Sequence, residues 1–337
     1  MTKTEHSTDV AIIGAGPAGL FGVFQCGMLN MRCHVVDALE MVGGQCSALY
    51  PEKPIYDIPS RLEIMGGDLA AKLERQAAPF SPVYHLDQQV MKLEPFADGR
   101  WRLETSKGVG VKANAVFIAA GVGAFGPNRP PLEGIEAFEG TSVHYLIKRR
   151  EDFRDKRVVI AGGGDSAVDW AISLAEIAKS VAIIHRRPKF RAAPGSAEKL
   201  KRLADEGAVE LVTPYQLAGL EGEGAQIETV IVRDMDGQER RLAADALLPF
   251  FGLSQNLGPI ADWGLNLERN HIKVDPADCC TGKPGVFAIG DIAVYPGKLK
   301  LILTGFAEAA MAAHAAYPLT HPNEALHFEY STTKGAP

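Results

Sequence analysis

The sequence predicts an α/β protein built from two Rossmann-like dinucleotide-binding domains. Three observations carry this prediction: a strand, glycine turn and helix near the N-terminus, a second copy of that unit at mid-chain, and a late apolar strand ending in Gly-Asp. Residues 10–13 are an apolar run of strand length closed by Gly14, residues 18–30 suit a helix, and residues 33–36 suit a second strand ending in Asp37. Gly14, Gly16 and Gly19 complete G-x-G-x-x-G at the turn, with Pro17 and Ala18 inside the motif. The first glycine permits the tight turn, the second lets backbone approach a pyrophosphate, and the third lets helix and strand pack closely. The helix start then offers free N–H groups and partial positive charge to phosphates. Asp37 falls where a carboxylate accepts from ribose hydroxyls.

Residues 41–59 follow as a long loop rich in turn formers and aromatics, and a loop of that length inside a compact domain usually has a task. A helix over 66–78, short strands across 83–105 broken near Asp98-Gly99, and a buried strand over 115–119 ending in Ala120-Gly121 come next. Gly121, Gly123, Gly126, Pro127, Pro130 and Pro131 then interrupt regular structure and mark a domain boundary.

Residues 157–187 repeat the first unit. Gly162, Gly164 and Ala167 form G-x-G-x-x-A after a strand, with Asp165 and Ser166 opening the helix. Asp37 lies 23 positions beyond Gly14, and the same count from Gly162 reaches His185, followed by Arg186 and Arg187. The second copy therefore puts base where the first puts acid. An acid suits a free ribose 2′-hydroxyl, whereas arginines suit a 2′-phosphate, and Arg191 adds a further cation. The second site should thus take NADP rather than NAD. A helix over 198–206 and strands across 209–243 follow, and residues 247–252 end the insert. Residues 285–291 read as an apolar strand terminating in Gly290-Asp291, and Thr304-Gly305 opens an alanine-rich helix running to about residue 316. A carboxylate at a strand end, followed by a helix start, could hold a cofactor's polyol and polarise its ring.

The whole chain limits the alternatives. Its 337 residues suffice for two cores, and 46% hydrophobic and 23% charged residues are ordinary for a globular protein. No apolar run reaches membrane-spanning length, and residues 1–8 are polar, without a signal-peptide core. Five cysteines without C-x-x-C spacing argue for a reduced, cytoplasmic setting. The net charge of −6 argues against nucleic acid.

In these motifs, taken in order, the chain resembles the two-dinucleotide-domain flavoproteins of the low-molecular-weight thioredoxin reductase type. Gly43-Gly44-Gln45 and the run from His185 to Arg191 belong to the same likeness. The resemblance implies a discontinuous FAD domain, residues 1–122 and 248–337, with an NADPH domain, residues 123–247, inserted into it. The implied FAD set is Gly14, Gly16, Pro17, Ala18, Gly19, Asp37, Gly44, Gln45, Tyr50, Gly121, Gly290, Asp291 and Thr304. The implied NADPH set is Gly162, Gly164, Asp165, Ser166, Ala167, His185, Arg186, Arg187 and Arg191. No metal site and no general acid, base or nucleophile are implied.

Two departures refine the reading. Thioredoxin reductases carry their redox C-x-x-C just before the second dinucleotide strand, and here residues 142–148 contain no cysteine. Without a thiol pair, electrons cannot leave by dithiol–disulfide exchange. Cys279-Cys280 is the one close pair, read as incidental in a surface loop, and Cys46 alone makes no relay. The extension 318–337 and the loop around Tyr50 instead resemble the thioredoxin-reductase-like ferredoxin–NADP reductases. That likeness implies flavin stacking by Tyr50 and, from the extension, by Tyr330 (Phe328 being its competitor), in a homodimer that exchanges electrons with ferredoxin or flavodoxin. Residues 148–157, six positive against three negative, together with Lys298 and Lys300, are either an acceptor-docking surface or a solvated face. A thioredoxin reductase variant, a flavin monooxygenase and an NADPH sensor remain the alternatives.

Overall fold

The computed structural model describes residues 4–326. The chain forms two compact units, residues 1–125 with 255–337, and residues 126–254. The expected return crossing at 248 falls inside the strand Ala246–Pro249, which pairs in parallel with Arg157–Ala161. That ladder keeps the strand in the second unit, so the crossing comes at 254/255.

The first unit is organised on a seven-stranded sheet. Glu5–Ile13 runs between Cys33–Val36 and Gly110–Ile118, parallel to both, and Val83–His85 extends the parallel edge. On its other edge Gly110–Ile118 serves two neighbours: its first half pairs antiparallel with Trp101–Thr105, and its last residues pair parallel with Val286–Ala288. Central parallel strands covered on both faces should read as apolar runs, and residues 10–13 and 115–118 do, in the C-terminal halves of their strands. Alternate residues divide between two cores. Val10, Ile12, Val35 and Phe117 meet Val23 and Cys26 of the helix Pro17–Met28 and Ala309, Ala312, Ala313 and Ala316 of the helix Ile302–Thr320. Ala11, Ile13, Val36 and Ile118 meet Val90, Leu93, Trp101 and Leu103 on the other side.

The last helix opens two residues before Thr304 and continues through Pro318 to Thr320. The alanine spacing of three and four places its small face on the sheet as far as Ala316, and beyond it the Thr320 hydroxyl and the His321 N–H close the last turn on the Tyr317 oxygen. Residue 318 therefore lies within the last helix and does not begin an extension.

The second unit repeats the plan with a smaller, four-stranded parallel sheet of Glu210–Val212, Ser180–Ile184, Arg157–Ala161 and Ala246–Pro249. Val158, Ile160, Val181 and Ile183 pack on the helices Asp165–Leu174 and Pro194–Asp205. Val159, Ala161, Ala182 and Ile184 pack on an antiparallel sheet through Ile227, Val230, Val232 and Leu242. No helix among the described residues is long and apolar enough to cross a membrane.

Candidate functional site

In each unit a cleft opens where parallel strands end, the position at which open α/β sheets bind ligands. The first cleft is lined by Ile13-Gly14, Val36-Asp37, Ala119-Ala120-Gly121 and Gly290-Asp291, the ends of four strands. Gly16, Pro17, Ala18, Gly44, Gln45, Cys46 and Tyr50 complete its middle. Gly14 sits at φ +111°, and a Cβ there would lie 2.3 Å from the Ala119 carbonyl oxygen. Only glycine accepts both the conformation and the contact. Gly19 does not line the cleft; a Cβ on it would stand 1.9 Å from the Gly14 oxygen, so it serves close packing. The helix that starts at Pro17 has no side-chain cap at Gly16, which leaves its first N–H groups free toward the cleft.

Asp37 is turned inward. Its Oδ2 accepts from the Ala15 N–H at 2.5 Å and its Oδ1 from the Leu39 N–H at 2.8 Å. Burial pushes its pKa up, and the two amides oppose that shift. A carboxylate offers about four lone-pair sites, so two remain for ribose hydroxyls.

Tyr50 enters the cleft from the long loop, held by its own N–H on the Gln45 oxygen and by the Lys53 N–H on the Tyr50 oxygen. Burial, and then the neighbouring Cys46 thiol, hold the tyrosine well above its ordinary range. Burial also raises Cys46 to about 11, with the nearby Tyr50 hydroxyl opposing and the Asp291 charge adding. Cys46 is therefore a protonated, packed thiol at neutral pH. All five cysteines are free. Cys279 is buried, contrary to the surface loop expected, because its N–H bonds the Asp275 oxygen and its carbonyl accepts from Ala288 next to the strand Val286–Ala288. Burial pushes its thiol up to about 12.

Several lining residues carry no motif. Gln88, Gln89 and Val90 approach from one side of the first cleft, and Leu257, Ile260 and Trp263 from the chain after the insert. Thr304 is not among the lining residues; Leu301, Ile302 and Gly305 take its place, since the helix starts earlier than expected. Tyr330 and Phe328 lie outside the described residues.

The second cleft is lined by Ala161-Gly162-Gly163-Gly164, Ile184 through Arg187, Arg191, Tyr215, Gln216, Phe250 and Pro130-Pro131. Three arginines and no carboxylate face it. Arg191 is brought to the glycine turn by its N–H on the Gly163 oxygen at 2.6 Å. Among the described residues, no ion pair joins Arg186, Arg187 or Arg191. The His185 ring packs over Gly163 and stacks on Phe190 at 5.4 Å. Burial, then the charges of Arg186 and Arg191, lower its pKa. Asp165, Ser166 and Ala167 do not line the cleft. The Asp165 carboxylate accepts from the Ala193 N–H at 2.8 Å, Ser166 is exposed, and Ala167 is buried beneath Gly162.

The basic run 148–157 is mostly committed internally. Arg149 pairs with Asp152, Arg150 with Glu176, Arg154 with Glu151 and Arg157 with Asp245. Lys298 is not a surface cation either: its side chain is 4% exposed and paired with Glu308. The ion pair and a bond to the Gly290 oxygen draw it inward.

The matches to known proteins follow these sites. The family model for pyridine nucleotide-disulphide oxidoreductases matches residues 8–317. A ferredoxin–NADP reductase of Paramagnetospirillum magneticum is 63% identical over 333 residues, covering 99% of each chain. The ferredoxin–NADP reductase of Rhodospirillum rubrum is 62% identical over 99% of this chain and 98% of its own. The solved thioredoxin reductase of T. acidophilum is 25% identical with a TM-score of 0.80, over 93% of this chain and 98% of that one. With both glycine turns inside the matched span, the chain belongs to the pyridine nucleotide-disulphide oxidoreductase family.

Proposed function

We infer that this protein is a ferredoxin–NADP reductase, which moves electrons between NADPH and ferredoxin through FAD. The observation that carries this reading is identity of 63% and 62%, over nearly full length, to proteins of that name. The absence of any C-x-x-C in the chain supports it over thiol reduction.

The donor chemistry fits both cofactors. In the first cleft, the uncapped helix start at Gly16 suits the FAD pyrophosphate, Asp37 the ribose of its adenosine half, and Gly290-Asp291 with Tyr50 the flavin half. In the second, Gly162 and Gly164 suit the NADPH pyrophosphate, and Arg186, Arg187 and Arg191 its 2′-phosphate. When bound, FAD supplies the change from two-electron to one-electron transfer. The protein binds and orients the partners and keeps water from the ring. Tyr50 would cover one ring face, a reading supported by its half-buried position in the cleft lining. Flavodoxin is the second acceptor class, and a cytoplasmic homodimer is the working assembly.

The test is reduction of cytochrome c by NADPH, with and without added ferredoxin, and with NADH as control. Ferredoxin-dependent reduction that strongly prefers NADPH supports the reading. Rapid loss of flavin colour with NADPH but no dependence on ferredoxin overturns the acceptor assignment and leaves the cofactor assignment standing.

A further inference from the structure

Beneath the Gly290-Asp291 corner of the first cleft lies a buried polar cluster that no glycine motif announces. Glu308 sits on the inward face of the helix Ile302–Thr320 with its side chain 2% exposed, and its partner Lys298 is 4% exposed. Glu308 Oε2 accepts from the Gly290 N–H at 2.7 Å, and Oε1 from the Tyr295 hydroxyl at 2.7 Å and from Lys298 Nζ. Lys298 Nζ also donates to the Gly290 oxygen at 3.1 Å. One ion pair therefore grips both backbone groups of one glycine.

That glycine is conformationally demanding. Gly290 stands at φ +73°, and a Cβ on it would lie 3.1 Å from the Ala18 Cβ, in the helix that opens at the first glycine turn. Asp291 follows directly and lines the cleft. A charge pair this buried is a poor source of stability, because the desolvation of two ions offsets most of their attraction. Apolar residues of similar size would serve a core as well. What they could not do is hold the two peptide groups that flank one residue, the first by its N–H and the second by its carbonyl.

We propose that Lys298 and Glu308 are positioning residues of the FAD cleft: their ion pair clamps the Gly290 peptide groups and so sets where Asp291 meets the flavin half of the cofactor. This rests on the assignment of FAD to the first cleft. The clamp acts at the strand end opposite Asp37, so it governs the flavin half and leaves the adenosine half alone.

The experiment compares binding of FAD and of ADP to flavin-stripped protein, by quenching of flavin fluorescence and by calorimetry. Wild-type protein that takes up no FAD would sink the cofactor assignment itself, whatever the variants do. With wild type binding FAD, Glu308→Leu should weaken FAD by about tenfold or more, the worth of one charge-assisted hydrogen bond, while ADP binds as before. FAD affinity within about twofold of wild type, or equal weakening of FAD and ADP, overturns the clamp, since double-mutant and control errors reach that size. Should Glu308→Leu not fold, Lys298→Met with Glu308→Gln removes both charges and keeps an acceptor for the Gly290 N–H. There, FAD weakened by about threefold with ADP unchanged supports the clamp, because the Gly290 oxygen has lost its ammonium donor, and unchanged FAD overturns it.

Discussion

The two units use one backbone plan and decorate it in opposite ways. In the first, the residue that ends the second strand is an acid folded back on the glycine turn, each oxygen already bonded to a backbone amide. In the second, the equivalent place holds a histidine packed on Gly163 and Phe190, followed by arginines that reach outward without a carboxylate partner among the described residues. A glycine turn suits the pyrophosphate of any dinucleotide, whereas an acid at the next strand end suits a free ribose hydroxyl and arginines there suit a 2′-phosphate. In both turns the first glycine is the tight one: a Cβ at Gly14 or Gly162 would meet backbone oxygen at 2.3 or 2.7 Å, whereas one at Gly16 has its nearest atom at 3.9 Å and one at Gly164 meets nothing within 4 Å.

That contrast gives the largest expected effect. Gly14→Ala combines a disfavoured φ with a backbone clash and should destabilise the protein by about 3 kcal/mol or more, with loss of bound flavin. Gly164→Ala should unfold within about 0.5 kcal/mol of wild type. Urea denaturation of the two variants compares them, and a Gly14→Ala protein as stable and as yellow as wild type would break the distinction between the first and second glycine of a turn.

Charge selection comes next. Arg186→Ala with Arg187→Ala should raise KM for NADPH by about 100-fold and leave NADH nearly unchanged, since charge-assisted bonds are worth roughly 1.5–3 kcal/mol each. A similar rise for both nucleotides would mean that these arginines do not read the 2′-phosphate. Asp37→Asn should weaken FAD by about tenfold, because one amide N–H then faces an NH₂ group. NADPH saturation should not move, and a change there would show that the acid does not serve the first cleft alone.

The smallest effect concerns acid stability. His34 Nδ1 lies 2.9 Å from His85 Nε2, with the His6 ring 5.0 Å from that of His85. Burial, then the charges of His85, His6 and Arg32, lower His34 to about 4, and burial also lowers His85. A histidine with a depressed folded pKa leaves stability untouched above its unfolded value near 6.5. As pH falls from there to about 4 the unfolded chain takes the proton first and stability drops. The urea midpoint should fall across that window, and His34→Asn should flatten the decline. An equally steep decline in the variant would place the acid sensitivity elsewhere.

Legibility followed the range of the forces involved. The glycine turns, Asp37, His185 and the arginines were readable because strand, turn and helix are contiguous and each residue type has a local reason to be there. Lys298 read as a surface cation because lysine usually is one, and only the helix Ile302–Thr320 lying behind it supplies the carboxylate that draws it inward. Glu308 had a faint signal, a single acid in an alanine-rich helix, but no rule of spacing says what it faces. Gln88, Gln89 and Trp263 reach the first cleft from strands and turns far apart in sequence. The proline at 318 misled as well, since the last turn continues past it and is closed by the Thr320 hydroxyl and the His321 N–H on the Tyr317 oxygen.

By itself, the sequence determined two Rossmann-like units, their order, and the choice of acid in one and base in the other, because periodicity, turn chemistry and side-chain charge act over a few residues. Tertiary structure decided the rest: where the second unit ends, which side chains complete each cleft, and that Lys298 and Glu308 meet beneath Gly290. Those outcomes depend on desolvation and packing between segments distant in the chain, and neither acts until the chain has folded.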